Sequence, residues 1–312
     1  MDKIDLREKT HLLPPSDKPA YGEPESAIAS SRKKPSILIN VGLFILTVGT
    51  TLLAGAMQQG VNPMEDPAQI IKGWPFSAAL LFILLSHEMG HYLTSKKYHI
   101  DATLPYFIPA PNLIGTFGAV IRMNSPVRNK RVLFDIGAAG PLAGIIVTLP
   151  ILIAGLIFSE VKMAEAPVEG RFALGTSLLL SFLTKVILGN LPDNYHVMLH
   201  PLGFAGWIGL LVTSLNLMPV GQLDGGHIAY AVFGRRKAAM LSRAVVAVLL
   251  GLGIWGTPMW LMWALLLIFL LGIKHPPTVD HDVPLDKKRK VIGIITLLIF
   301  VATFVPVPIG SM

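Results

Sequence analysis

Three residues stand in an order that can do hydrolytic chemistry: His87, Glu88 and His91, in the pattern H-E-x-x-H. On a helix, side chains four residues apart project from one face, so two imidazoles can grip one zinc ion while the glutamate beside the first reaches a water on that ion. A catalytic zinc takes three protein ligands and keeps a position for water. The chain has no cysteine, so the third ligand has to be another His, Asp or Glu brought to the same place.

The elements that must position such a site are hydrophobic. Of the 312 residues, 52% are hydrophobic and 14% charged, whereas soluble domains carry roughly a quarter charged residues. The composition predicts an integral membrane protein. Without cysteine there is no disulfide framework, thiol nucleophile or thiolate metal site. The net charge of +7 sits in short clusters beside apolar runs, with no basic stripe interleaved with aromatics, so nucleic acid is not expected as a partner.

Apolar runs at 37–57, 74–95, 132–158, 203–223, 238–253, 258–273 and 291–308 predict an all-α polytopic membrane protein with about seven transmembrane helices. Residues 1–35 read as a disordered cytosolic tail, residues 36–235 as the catalytic core and 236–312 as additional C-terminal membrane helices. The tail, Lys96 and Lys97, Arg122 to Arg131, Arg235 to Lys237 and Lys274 to Lys290 together hold 21 of the 26 lysines and arginines. Placed on one side, they give a cytosolic N-terminus by the positive-inside rule. The apolar stretch 172–190 then has to lie along or dip into the outer interface. The stretch 238–273 reads as a helical hairpin turning near Gly253 to Pro258. The same topology brings Asp224, at the end of the 203–223 run, to the membrane depth of His87 and His91, and makes it the candidate third ligand.

The string from Asn216 to His227, N-L-M-P-V-G-Q-L-D-G-G-H, contains Pro219 and three glycines. These break or kink a helix, and the backbone groups so freed are tolerated at membrane depth only around a polar cavity. Asn216 either orients a substrate carbonyl or bonds across helices. His227 either supports the ligands or sits at the interface.

With Gly115-Thr116-Phe117-Gly118-Ala119 and Gly137-Ala138-Ala139-Gly140-Pro141, the H-E-x-G-H and N-x-x-P-x-x-x-x-D-G strings resemble the site-2 protease family of zinc intramembrane metallopeptidases over residues 74–235. The resemblance implies His87, His91 and Asp224 as ligands of one Zn2+ per chain, Glu88 as catalytic acid and base, and Asn216 as the substrate-positioning asparagine. It also implies single-span membrane proteins as substrates, first trimmed by another protease. Segment 159–202 is too short for the PDZ domain many members carry, so the chain is similar to the PDZ-less branch of bacteria and plastids. The bacterial inner membrane is the expected location.

Water polarised by zinc would give its proton to Glu88, which would pass it to the leaving amine, with cleavage near the cytosolic face. Residues 101–127 are too rich in proline for a helix, and Thr116 to Met123 has strand character. They predict a short membrane-associated β-hairpin near the zinc site, whose edge an unwound substrate could join by strand addition. Gly137, Gly140 and Gly144 read as small-residue helix packing, and Asp135 as a charge at the start of its helix. The string His275 to Asp282 reads as a solvated loop. Two rivals are a membrane zinc peptidase acting on soluble tails and a non-catalytic zinc-binding membrane module. A homo-oligomer or regulatory partner is left open.

Overall fold

The computed structural model describes residues 37–163, 172–192, 194–272, 275 and 283–311. The expected tail, residues 1–35, lies outside the described residues, as do 276–282 of the late histidine string. Helix α1 (Ile37–Gln58) is followed by a 3-10 turn (Pro67–Gly73) that runs into α2 (Trp74–Lys97). A hairpin of β1 (Tyr106–Pro109) and β2 (Thr116–Val120) leads to α3 (Lys130–Ile157). Next come β3 (Glu160–Met163), β4 (Phe172–Leu174), α4 (Leu178–Leu188), β5 (Tyr195–Met198) and α5 (Pro201–Leu217). The chain continues with α6 (Asp224–Trp255), α7 (Met259–Leu266) with a π-helical turn (Leu267–Leu271), α8 (Lys287–Thr303) and β6 (Ile309–Ser311).

Among the described residues, four helical stretches are long and apolar enough to cross a bilayer: Ile37–Gln58, Pro67–Lys97, Lys130–Ile157 and Asp224–Trp255. The expectation of about seven spans is met only that far. Helix α5 has 17 residues, about 25 Å at 1.5 Å per residue, which is short of a hydrocarbon core of about 30 Å. Helices α7 and α8 are also short, and α4, with 11 residues, is too short to cross. The helical hairpin expected over 238–273 is present, turning between Trp255 and Met259.

Helix α3 is the hub, packed against α2, α5 and α6. Its neighbours approach closely, and the main buried cluster includes Phe76, Leu80, Leu152, Leu156, Ala205 and Ile208 from α2, α3 and α5. By contrast, Leu38, Ile45, Ile295 and Leu298 on α1 and α8 are exposed. Such apolar faces would drive association in water and are solvated by acyl chains in a membrane.

One expectation about chain path is corrected. Asp224 does not end the helix that carries Asn216; it opens the next one. Met218, which precedes Pro219, takes extended angles (φ −56°, ψ 124°) because the proline ring disfavours the helical region there, and α5 stops at Leu217. A tight turn follows, with Gly221 at φ 51°. A Cβ on Gly225 would meet the Leu217 carbonyl oxygen at 1.8 Å, so glycine is what lets the start of α6 fold back on the end of α5.

The β1–β2 hairpin forms as expected, in antiparallel register with Tyr106 opposite Val120. Three polar side chains of α1 anchor its loops. Asn40 Nδ2 donates to the carbonyls of Leu104 and Pro105 at 3.1 and 3.0 Å, Thr50 Oγ1 to Gly115 at 2.6 Å and Gln58 Nε2 to Leu113 at 3.0 Å. Asn40→Leu strands two carbonyls and is expected to cost about 1–3 kcal/mol. It should raise amide exchange and protease nicking within 101–115 in the detergent-solubilised protein while leaving α3 protected.

Candidate metal centre

His87, Glu88 and His91 lie on α2, all buried, and the first residue of α6, Asp224, comes to meet them. His87 Nε2 stands 3.4 Å and His91 Nε2 3.2 Å from Asp224 Oδ2, and the two Nε2 atoms are 3.1 Å apart. Three atoms bound to a tetrahedral zinc at about 2.0–2.1 Å are separated by roughly 3.3 Å, so this triangle has the size the ion requires. These three residues are the group of His, Asp and Glu side chains among the described residues that could hold a metal.

The protonation pattern also fits a cation. His91 Nδ1 lies 2.8 Å from the carbonyl oxygen of Ile136 on α3 and donates to it. In the neutral ring this leaves the Nε2 lone pair pointing at a carboxylate, which is favourable only with a cation between them. Asn216 Nδ2, at the end of α5, is 3.3 Å from His87 Nε2. Glu88 is not one of the three converging atoms. It lies within electrostatic reach of His91 and Asp224, and the backbone N–H of Ile121, just past β2, turns toward its carboxylate.

Helix α3 makes room for this cluster with a glycine stripe. A Cβ at Gly140 would lie 2.1 Å from His91 Nε2, one at Gly144 3.3 Å from His87 Nδ1, and one at Gly137 2.9 Å from His227 Cβ. The stripe is packing in the sense expected, but Gly140 and Gly144 pack against the candidate metal ligands and Gly137 against His227. Its spacing of three and four residues on one helix face was the available signal.

His227 stands apart from the triangle. Its Nδ1 is 2.6 Å from Nε2 of His275, whose ring stacks on Tyr230 at 4.4 Å. Asp135 does not act at the start of its helix. Helix α3 begins at Lys130 with Asn129 capping the amides of Arg131 and Val132, and Asp135, in the second turn, binds Arg289 of α8.

Peptidase family M50 matches residues 75–255. The chain is 31% identical over 287 residues to "Probable zinc metalloprotease EGY1, chloroplastic" of Arabidopsis thaliana, covering 85% of this chain and 52% of that protein. It is 31% identical over 255 residues to the Arabidopsis "Probable zinc metalloprotease EGY2, chloroplastic", covering 81% and 45%. Against the rice (Oryza sativa subsp. japonica) EGY1 protein it is 33% identical over 237 residues, covering 74% and 40%. The chain thus spans about half the length of these curated relatives. They are chloroplastic plant proteins, so they lend no support to a bacterial inner membrane in particular.

Proposed function

Because this chain belongs to peptidase family M50, we propose that it is a zinc-dependent intramembrane endopeptidase that cuts single-span membrane proteins within their transmembrane segment, near the cytosolic face of the bilayer. The observation that carries this reading is the triangle of His87, His91 and Asp224 with Glu88 beside it, built on apolar helices of spanning length.

In this reading His87, His91 and Asp224 hold the ion. Zinc, when bound, supplies Lewis-acid chemistry: it acidifies a water and stabilises charge developing on a carbonyl oxygen. Glu88 accepts the proton of the attacking water and delivers it to the leaving amine nitrogen, so one side chain serves as base and then acid. Its burial keeps competing water away from that transfer. Asn216, with its amide donor beside His87, orients the peptide carbonyl. Burial of the donor set excludes bulk water except along the path a substrate takes.

A helical substrate has to unwind before its backbone can be attacked. Strand β2 lies against α2 and has β1 as its strand partner in a two-stranded sheet, leaving its second edge for another strand. Phe117 on β2 is 74% exposed, an apolar surface for the side chains of an extended segment.

The test uses the purified chain in lipid nanodiscs, a fluorescent single-span reporter and the reporter's tail as a soluble peptide. Cleavage should fall within the apolar segment, stop after removal of zinc by a chelator and return at one zinc per chain. Cleavage of the soluble tail with the reporter left intact would assign the peptidase to tails. Zinc binding with neither substrate cut would leave a non-catalytic module.

A further inference from the structure

Helix α8 lies beyond the residues the family match covers, yet its first turn binds Asp135, the chain neighbour of the Ile136 whose carbonyl meets His91. Arg289 Nε donates to Asp135 Oδ1 at 2.7 Å and an Arg289 terminal nitrogen to Oδ2 at 2.6 Å, the two-pronged geometry that guanidinium and carboxylate favour. Asp286 caps α8 by accepting the Arg289 amide at 2.8 Å and also accepts from its guanidinium, so the arginine is fixed from its own helix end. The phenol of Tyr98, at the end of α2, donates to the same Asp135 carboxylate. That bond holds the Tyr98 proton more firmly than usual, as expected for a phenol donating to a charged carboxylate.

The sequence positions of these partners matter. Asp135 is adjacent to Ile136, whose carbonyl receives the Nδ1 proton of His91. Tyr98 follows His91 by seven residues, two helical turns along the same face of α2. Helices α2 and α3 are therefore tied at two neighbouring points, His91 to Ile136 and Tyr98 to Asp135. Arg289 supplies the positive charge for an Asp135 side chain that is 20% exposed and would otherwise be a half-buried carboxylate with only a phenol to answer it.

We infer that Arg289 is a positioning residue for the metal centre: through Asp135 it fixes the register of α3 against α2, so that the Ile136 carbonyl holds the His91 ring in the tautomer and orientation that present Nε2 to the ion. The inference rests on the zinc reading above. Partners that orient metal-ligating histidines typically change metal affinity or activity by about 10–100-fold when removed. Arg289 acts at one further remove, so the expected change is at the low end.

The experiment measures zinc affinity by chelator competition, the visible spectrum of the Co2+-loaded protein, and kcat and KM on the single-span reporter, all with the full chain in nanodiscs. Arg289→Ala and Asp135→Asn should each weaken zinc about tenfold and lower kcat, with KM nearly unchanged and an altered Co2+ band. The double variant should be no worse than either single one, because both remove the same contact. Arg289→Lys, which keeps the charge but not the two-pronged geometry, should fall between wild type and Arg289→Ala. Tyr98→Phe, which removes a single hydroxyl, guards against variants that fail to fold and should show a smaller shift in the same direction. Zinc affinity and spectrum matching wild type in folded Arg289→Ala and Tyr98→Phe would overturn the inference while leaving the zinc site standing. Additive losses in the double variant would also overturn it, as they would mean two independent structural effects. If the wild-type chain binds no zinc, the zinc reading fails and takes this inference with it.

Discussion

Glu88→Gln is expected to keep one zinc per chain and to lower cleavage of a single-span reporter by about 10²–10⁴-fold, the range for removal of a positioned proton-transfer group. Zinc should stay because the atoms that converge are His87 Nε2, His91 Nε2 and an Asp224 oxygen, not a Glu88 oxygen. Glutamine has the same shape and can still meet the Ile121 N–H through its carbonyl, so the packing around a buried side chain is preserved. What it lacks is the ability to take a proton from water. Metal analysis and reporter cleavage on the same preparation test this. An unchanged rate would remove Glu88 from the mechanism, and loss of zinc would make it a ligand instead.

Gly140→Ala is expected to abolish tight zinc binding, a loss of more than about 100-fold, since it displaces a ligand rather than loosening its support. The added Cβ would stand 2.1 Å from His91 Nε2 and 2.4 and 2.5 Å from the neighbouring ring carbons. The ring is buried between α2 and α3, so it can leave only by giving up its bond to Ile136 and its place in the triangle. A graded series makes the test specific. Gly144→Ala, which meets His87 Nδ1 at 3.3 Å, should weaken zinc modestly, and Gly42→Ala on α1, where no atom lies within 4 Å, should leave it unchanged. Equal effects across the three would point to general helix destabilisation.

Much of the centre was legible in the chain. The H-E-x-x-H spacing specifies two imidazoles on one helix face, and the absence of cysteine narrows the third ligand to a short set of candidates. The hairpin over 101–127 was readable from proline density and strand-forming residues. The span count was less legible. Hydropathy measures how apolar a run is, whereas helix length depends on breaks such as Pro219, which ended α5 and moved Asp224 onto the next helix. Asp135 was misread because its partner, Arg289, is 154 residues away.

Composition and local spacing pointed to the apolar surroundings, the metal chemistry and the candidate base, because each depends on residue type and helical period alone. Only the tertiary structure decided that Asp224 meets the histidines from the first residue of α6, that Gly137, Gly140 and Gly144 face three histidine rings, and that α8 reaches back to the helix beside His91. Those are close approaches between segments far apart in sequence. They are set by how helices stack at van der Waals distance, and a one-dimensional pattern carries no record of which faces will touch.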